Sequence, residues 1–256
     1  MMAQKKILGS WVLLALSTFV VSCATRSISD SGYRSDWDRR GPGASNPFYK
    51  GELSEFEVIG IDREQKITEE EIRKSFEAKQ VLLVKKGSSI MLIQSGAIFP
   101  DDPMVKALEK YYTVAVFSGV PEQGRPRDSG GASPPRPSNY ALALRLAAAK
   151  GGYEKIVVYW GILETGQVNL ATKTVSWVPI VGWGIPDERQ RMRIRLKVAV
   201  IDVRTGQWEI FVPDPIENDA ISAAYTRESS DQGQVALLKA RAYVAVAEDI
   251  VKRYAR

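Results

Sequence analysis

Apolar and polar positions alternate along this chain with two different periods, and the changes of period mark its elements. Met192, Ile194, Leu196, Val198 and Val200 alternate with Arg191, Arg193, Arg195 and Lys197. That period of two predicts a strand whose one face is wholly apolar, with both faces apolar from Ala199 onward. The residues "RTGQ" (204–207) carry turn chemistry, and "WEIFV" (208–212) returns as a hairpin partner. Over 232–254 the period changes to that of a helix, with Leu237, Ala240, Val244, Ala247, Val251 and Tyr254 as the apolar stripe.

The middle of the chain alternates short apolar runs with helical segments. "FEVIGI" (56–61) reads as a short strand. "ITEEEIRKSFEAK" (67–79) reads as a helix with Thr68 as N-cap and Glu71 completing a capping box. Ile67 and Ile72 are spaced as a hydrophobic staple. "SSIMLIQSG" (88–96) and "TVAVFSG" (113–119) have the length of buried strands. Between them "PDDPMVKALEKYY" predicts a helix with Val105, Leu108 and Tyr112 on one face. Strand, helix and strand at this spacing form a βαβ unit with a parallel pair. "SNYALALRLAAAKGG" (138–152) predicts a helix capped by Ser138 and stopped by Gly151 and Gly152, and "EKIVVYWGIL" is a third buried strand. The sum is an α/β domain over 53–256. It has a mixed β-sheet with flanking helices, a βαβ start, an antiparallel hairpin and a long C-terminal helix. No internal repeat breaks this order.

The first 23 residues follow a different rule. Lys5 and Lys6 precede an uncharged, mostly apolar run from Ile7 to Val21, which ends in Val20-Val21-Ser22-Cys23. The run is short for a hydrocarbon core of ~30 Å and suits a signal peptide over 1–22. Val20, Val21, Ser22 and Cys23 resemble the lipobox of bacterial lipoproteins. The resemblance implies cleavage before Cys23, acyl chains on Cys23 as the membrane anchor and, with Ala24 rather than Asp next, the outer membrane facing the periplasm. Residues 23–52 are rich in Ser, Gly, Arg and Asp and read as a flexible tether. Residues 121–138, rich in Pro and Gly, read as a mobile loop within the domain.

Composition narrows the chemistry. The chain has 256 residues, no His, and Cys23 as its single cysteine. A disulfide within the chain is excluded, as is a cysteine metal cluster, and the commonest general base is missing. Removing residues 1–22 lowers the formal charge from +5 to +3, since two lysines and no acids are lost. That small excess asks for no nucleic acid. The stretch "GVPEQG" (119–124) lacks the Lys-Ser/Thr of a phosphate loop. Asp214, Glu217 and Asp219 lack the spacing of a calcium loop and read as a solvated acidic loop. No cofactor, metal or catalytic residue is expected.

Two segments carry the binding candidates. "SWVPIVGWGIPDERQ" (176–190) is too broken for a helix and too apolar for an ordinary loop. Its Trp177, Val178, Ile180 and Trp183 read as a flap over the sheet, a partner-docking surface or a bilayer wedge. Arg191, Arg193, Arg195 and Lys197 share one strand face and read either as a surface for an anionic partner or as cations paired with acids such as Glu164 or Glu209.

The element order itself has a resemblance. Gly151 and Gly152 before the strand Lys155–Trp160, Gly161 after it, and Asp202 with Thr205-Gly206 ending a later strand fill two patterns of one group of periplasmic α/β domains. The chain over 88–212 resembles the domain shared by LpoB-type penicillin-binding-protein activators, the N-terminal domain of TolB and the curli secretion lipoprotein CsgG. The resemblance implies a lipid-anchored, non-catalytic domain that binds or positions an envelope protein. It also leaves room for a subunit of an export channel and for a homo-oligomer. An Asp/Glu hydrolase is the third reading.

Overall fold

The computed structural model describes residues 27–30, 48–62, 66–121, 140–168, 175–179, 191–218 and 227–255. Outside them fall the expected signal peptide, Cys23, Ser138, Ile180, Trp183, Asp219 and all of the 121–138 loop except Pro121. A sheet of seven strands lies between helices on both faces. Strands β1 (Ser89–Gln94), β2 (Thr113–Phe117) and β3 (Lys155–Val168) are followed by β4 (Val175–Pro179), β5 (Arg191–Asp202), β6 (Trp208–Phe211) and β7 (Ile216–Asn218). The path through the sheet is β2-β1-β3-β5-β6, with β4 beside β3 and β7 beside β5. β1 pairs in parallel with β2 and β3, and every other pairing is antiparallel. The expected α/β fold is present, including its βαβ start, its hairpin and its C-terminal helix.

The helices are α1 (Glu55–Ile59), α2 (Glu69–Glu77), α3 (Asp102–Glu109), α4 (Tyr140–Lys150) and α5 (Arg227–Tyr254). α3 and α5 cover one face, where Met104, Leu108, Leu238, Tyr243, Val246 and Ile250 meet the β5 side chains of Met192 through Val200. α1 and α4 cover the other face, where Val58, Leu144 and Ala148 meet Met91, Ile93, Ile156, Val158, Ala199 and Ile201. Burial of both faces explains why β1 and the first part of β3 read as continuous apolar runs rather than alternations. The β5–β6 hairpin closes on Asp202, which accepts from the Thr205 N–H at 2.7 Å and from the Lys155 ammonium. Burial works to raise the Asp202 carboxyl, but Lys155 and Thr205 outweigh it and hold the group below 3.8.

Four expectations change. "FEVIGI" is not a strand: Ser54 and Glu57 cap α1, and Gly60 ends it in the left-handed region at φ 79, with Val58 as the buried contact. Apolar alternation over so few residues fits a single helical turn as well as a strand. β2 is not buried. Among the described residues it forms an edge of the sheet, paired with β1 alone, and Val116 and Phe117 are exposed. The α5 stripe is rotated from the one read in the sequence. Leu238, Ala242, Tyr243, Val246, Ala247, Ile250 and Tyr254 are buried, while Leu237 and Val244 are exposed. Tyr243 sets that rotation by turning inward to hydrogen-bond Asp101. Glu217, read as part of a solvated loop, belongs to β7. The Thr68–Glu71 capping box of α2 is formed as expected, yet α2 buries none of its residues, and Ile67 and Ile72 stay half exposed.

The segment read as a tether is also not free along its length. Ser27, Ile28 and Ser29 are as buried as the core, and Ser27 bridges Ile162 of β3 in antiparallel fashion. The reason lies in β3. One of its edges is taken by β5 from Lys155 to Gly166. The other is taken by β1 over Lys155–Tyr159 and by β4 over Glu164–Val168. Residues 160–163 are left between them, and Ser27–Ile28 sits in that gap against Gly161 and Ile162.

Candidate functional site

Open parallel sheets bind ligands where neighbouring strands send their chains to opposite faces, beyond the strands' carboxyl ends. Here that position lies between β1 and β3. The chain leaves β1 into α3 on one face, while α4 leads into β3 from the other. A cluster of polar residues gathers at this point: Gln94 and Ser95 at the end of β1, Tyr159 in β3, Asp101 before α3, and Lys239 and Tyr243 on α5.

They form one chain of hydrogen bonds. The Tyr159 hydroxyl donates to Gln94 Oε1 at 2.5 Å, and the Asp101 N–H donates to the same oxygen at 2.7 Å. The Tyr243 hydroxyl and the Lys239 ammonium both reach Asp101 Oδ2, at 2.5 and 2.9 Å. The two tyrosine rings meet edge to face, 5.7 Å between centroids. Burial pushes both phenols well above their ordinary value, and the Asp101 carboxylate adds to it. Both therefore remain donors at any physiological pH. Asp101 precedes α3 as an N-cap residue would, but its side chain makes no cap bond and turns to α5 instead.

What fills the crevice is the chain's own segment 27–30, which we call the strap. Gln94 Nε2 donates to Ser29 Oγ at 3.0 Å, and Ser29 Oγ donates to the Ser95 carbonyl at 2.6 Å. Lys239 donates to the Ile28 carbonyl at 2.9 Å, and the Ile28 N–H donates to the Gly161 carbonyl at 3.0 Å. Gly161 gives the strap room to approach β3 closely. A Cβ there would lie 2.6 Å from Leu196 and 2.7 Å from Ile28. A second layer lies over the strap. Ser95 Oγ accepts from the Leu53 N–H at 2.7 Å, and Tyr49 donates to Glu52 at 3.4 Å.

Burial pushes the Glu52 carboxyl above its ordinary 4.5, and the hydroxyls of Ser27, Ser95 and Tyr49 offset only part of this. A carboxyl with a raised folded-state pKa contributes stability that is full below its unfolded pKa and is lost as pH rises through the folded one. Glu52→Gln is therefore expected to stabilise the domain at pH 7. The gain should shrink as pH falls toward about 4, which urea unfolding at the two pH values measures. A constant difference would show that Glu52 does not titrate with folding.

The remaining candidates separate. On the cation ladder, Glu164 is buried and receives Arg193 Nε at 2.5 Å and Arg195 at 3.5 Å. Arg193 also reaches Glu217 at 3.9 Å, and Lys197 pairs with Glu55 of α1. Three ladder cations are thus paired with carboxylates; of Arg191 only the backbone, opposite Gly166, is described. Glu164 is the partner read in the sequence, whereas Glu209 lies opposite Val200 in β6. Cations are tolerated on the ladder because each described one has a carboxylate partner, Glu164 and Glu217 from β3 and β7 and Glu55 from α1. Trp177 and Val178 fall in β4, opposite Gly166 and Thr165. Asp214 is exposed beyond β6. Among the described residues, no group of His, Cys, Asp or Glu is placed to hold a metal ion, and no helix is long and apolar enough to cross a membrane.

Nothing in the sequence reading singled out the strap, Asp101, Lys239 or Tyr243. Two signals were present: Ile28 alone in a polar stretch, and Gln94 closing an otherwise apolar strand. In the comparisons with known proteins, residues 54–253 match the family described as YafT bacterial lipoprotein. No match was found among curated proteins.

Proposed function

The chain belongs to the YafT bacterial lipoprotein family, and from that premise we propose that it is a non-catalytic envelope lipoprotein that binds a protein partner. In this reading Cys23 carries the acyl chains, and Val20, Val21 and Ser22 direct the cleavage. The anchor lies in the outer membrane with the domain facing the periplasm. Two or three acyl chains hold a protein firmly where one holds it marginally.

The observation that carries the reading is the filled crevice. The position where such sheets bind small ligands is occupied by the protein's own strap, and its polar groups are spent on that contact. Part of the surface that remains is apolar. α4 exposes Leu142 and Leu146 one turn apart, and α1 beside it exposes Phe56. Exposed apolar side chains on one layer are characteristic of protein interfaces. The α4–Gly151–Gly152–β3 order and the Asp202–Thr205 turn support the likeness to the LpoB, TolB and CsgG domains. The channel variant of that likeness draws less support, because residues 164–175 alternate polar and apolar only weakly and prolines follow.

Two measurements test this. Cys23→Ser is expected to move the protein from the membrane to the soluble fraction, and continued pelleting would contradict the anchor. A photocrosslinking residue at Leu142 or Leu146 is expected to capture one discrete envelope protein in cells, and Leu146→Asp should abolish capture from position 142. No adduct above background from either position would contradict the binding role.

A further inference from the structure

The strap also decides which end of the sheet meets the lipid. Cys23 and Ser27 are four residues apart, so the anchored cysteine lies within about 14 Å of Ser27 even at full extension. The leash is therefore those four residues, because the rest of the segment is fixed to β3. The Ser27–Ile162 bridge is antiparallel. Chain entering Ser27 thus comes from the direction in which β3 runs on, toward Glu164 and β4. Past Ile162, β3 continues for six residues to Val168, or about 20 Å. The β3–β4 hairpin reaches farther in that direction than the leash does.

We propose that the β3–β4 end of the sheet, Glu164–Val168 with Val175–Pro179, rests against the lipid surface of the anchoring membrane. This rests on the reading of Cys23 as the acylated residue. The strand sequence suits the role: β4 reads Val-Ser-Trp-Val-Pro, and tryptophan is enriched at the level of lipid headgroups. The backbone of Arg191 pairs with Gly166 at the same end. The opposite end of the sheet, with the Thr205–Gly206 turn, points away from the bilayer. This assigns β4 to the lipid rather than to a protein.

The acylated full-length protein allows a clean test, because Cys23 is its only cysteine and acylation removes the free thiol. A fluorophore placed through Val178→Cys or Thr205→Cys is then the single label. In vesicles of phosphatidylethanolamine and phosphatidylglycerol, brominated lipids are expected to quench the label at 178 at least about threefold more than at 205. Ile28→Asp, which releases the strap and lengthens the leash, is expected to remove most of that difference. Equal quenching at the two sites in acylated protein would overturn the proposal and leave β4 open to a protein partner. An intact mass without acyl chains would instead overturn the reading of Cys23 on which it rests.

Discussion

Asp101→Ala is expected to lower the stability of the folded domain by about 2 kcal/mol, between the values for an exposed and a fully buried ion pair. The carboxylate receives the Lys239 ammonium and the Tyr243 hydroxyl on the same oxygen. Its side chain is 28% exposed, against 13% for Lys239, so the loss falls mainly on the lysine. After the substitution the ammonium keeps only the Ile28 carbonyl among the bonds that tie it to the crevice, and a poorly solvated charge is costly. Tyr243 loses its acceptor at the same time. Replacing the lysine as well, in Asp101→Ala with Lys239→Met, removes the uncompensated charge. The double variant should recover part of the loss, giving a coupling of about 1–2 kcal/mol in a mutant cycle. Urea midpoints of the four proteins measure it. A single-variant cost below about 0.5 kcal/mol would mean that the pair is solvated and that α5 is held by apolar contacts alone.

Ile28→Asp is expected to cost about 2–3 kcal/mol, the value of one large apolar side chain leaving the core. Ile28 is 1% exposed and packs with the α3–α5 layer. An aspartate cannot remain there unpaired, so the strap leaves its groove and the side chain reaches water. The cost is therefore capped at the free energy of docking the strap, and the rest of the domain stays folded. A near-native circular dichroism spectrum with a lowered urea midpoint is the expected pair of results. Complete unfolding would show that the strap is a condition of the fold rather than an addition to it.

The sequence was most legible where one physical demand acted alone. β5 alternates cleanly because one face packs in the α3–α5 layer while the other carries cations paired with carboxylates. The capping box of α2 is a local bond between Thr68 and Glu71, and it forms although the helix buries nothing. Legibility failed where the deciding contact was distant. The rotation of α5 is set by Asp101, 142 residues before Tyr243. The strap is polar by composition and was read as tether for that reason. Its docking depends on a gap between β1 and β4 along β3, which exists only once the sheet is assembled. Glu164 and Glu209 were both read as acids for the ladder: Glu164 pairs with Arg193 and Arg195 across β3 and β5, whereas Glu209, on the hairpin itself, lies opposite Val200.

The account turns on whether the folded domain begins at Ser27, four residues from Cys23, or only near Leu53. Residue-resolved amide hydrogen exchange on the mature chain decides it. The Ile28 N–H, bonded to the Gly161 carbonyl and buried, is expected to be protected by at least about a hundredfold over a free chain, approaching the protection of β3. Exchange of Ile28 at the free-chain rate, with Val157 and Val158 protected, would place the strap in solvent and contradict the account.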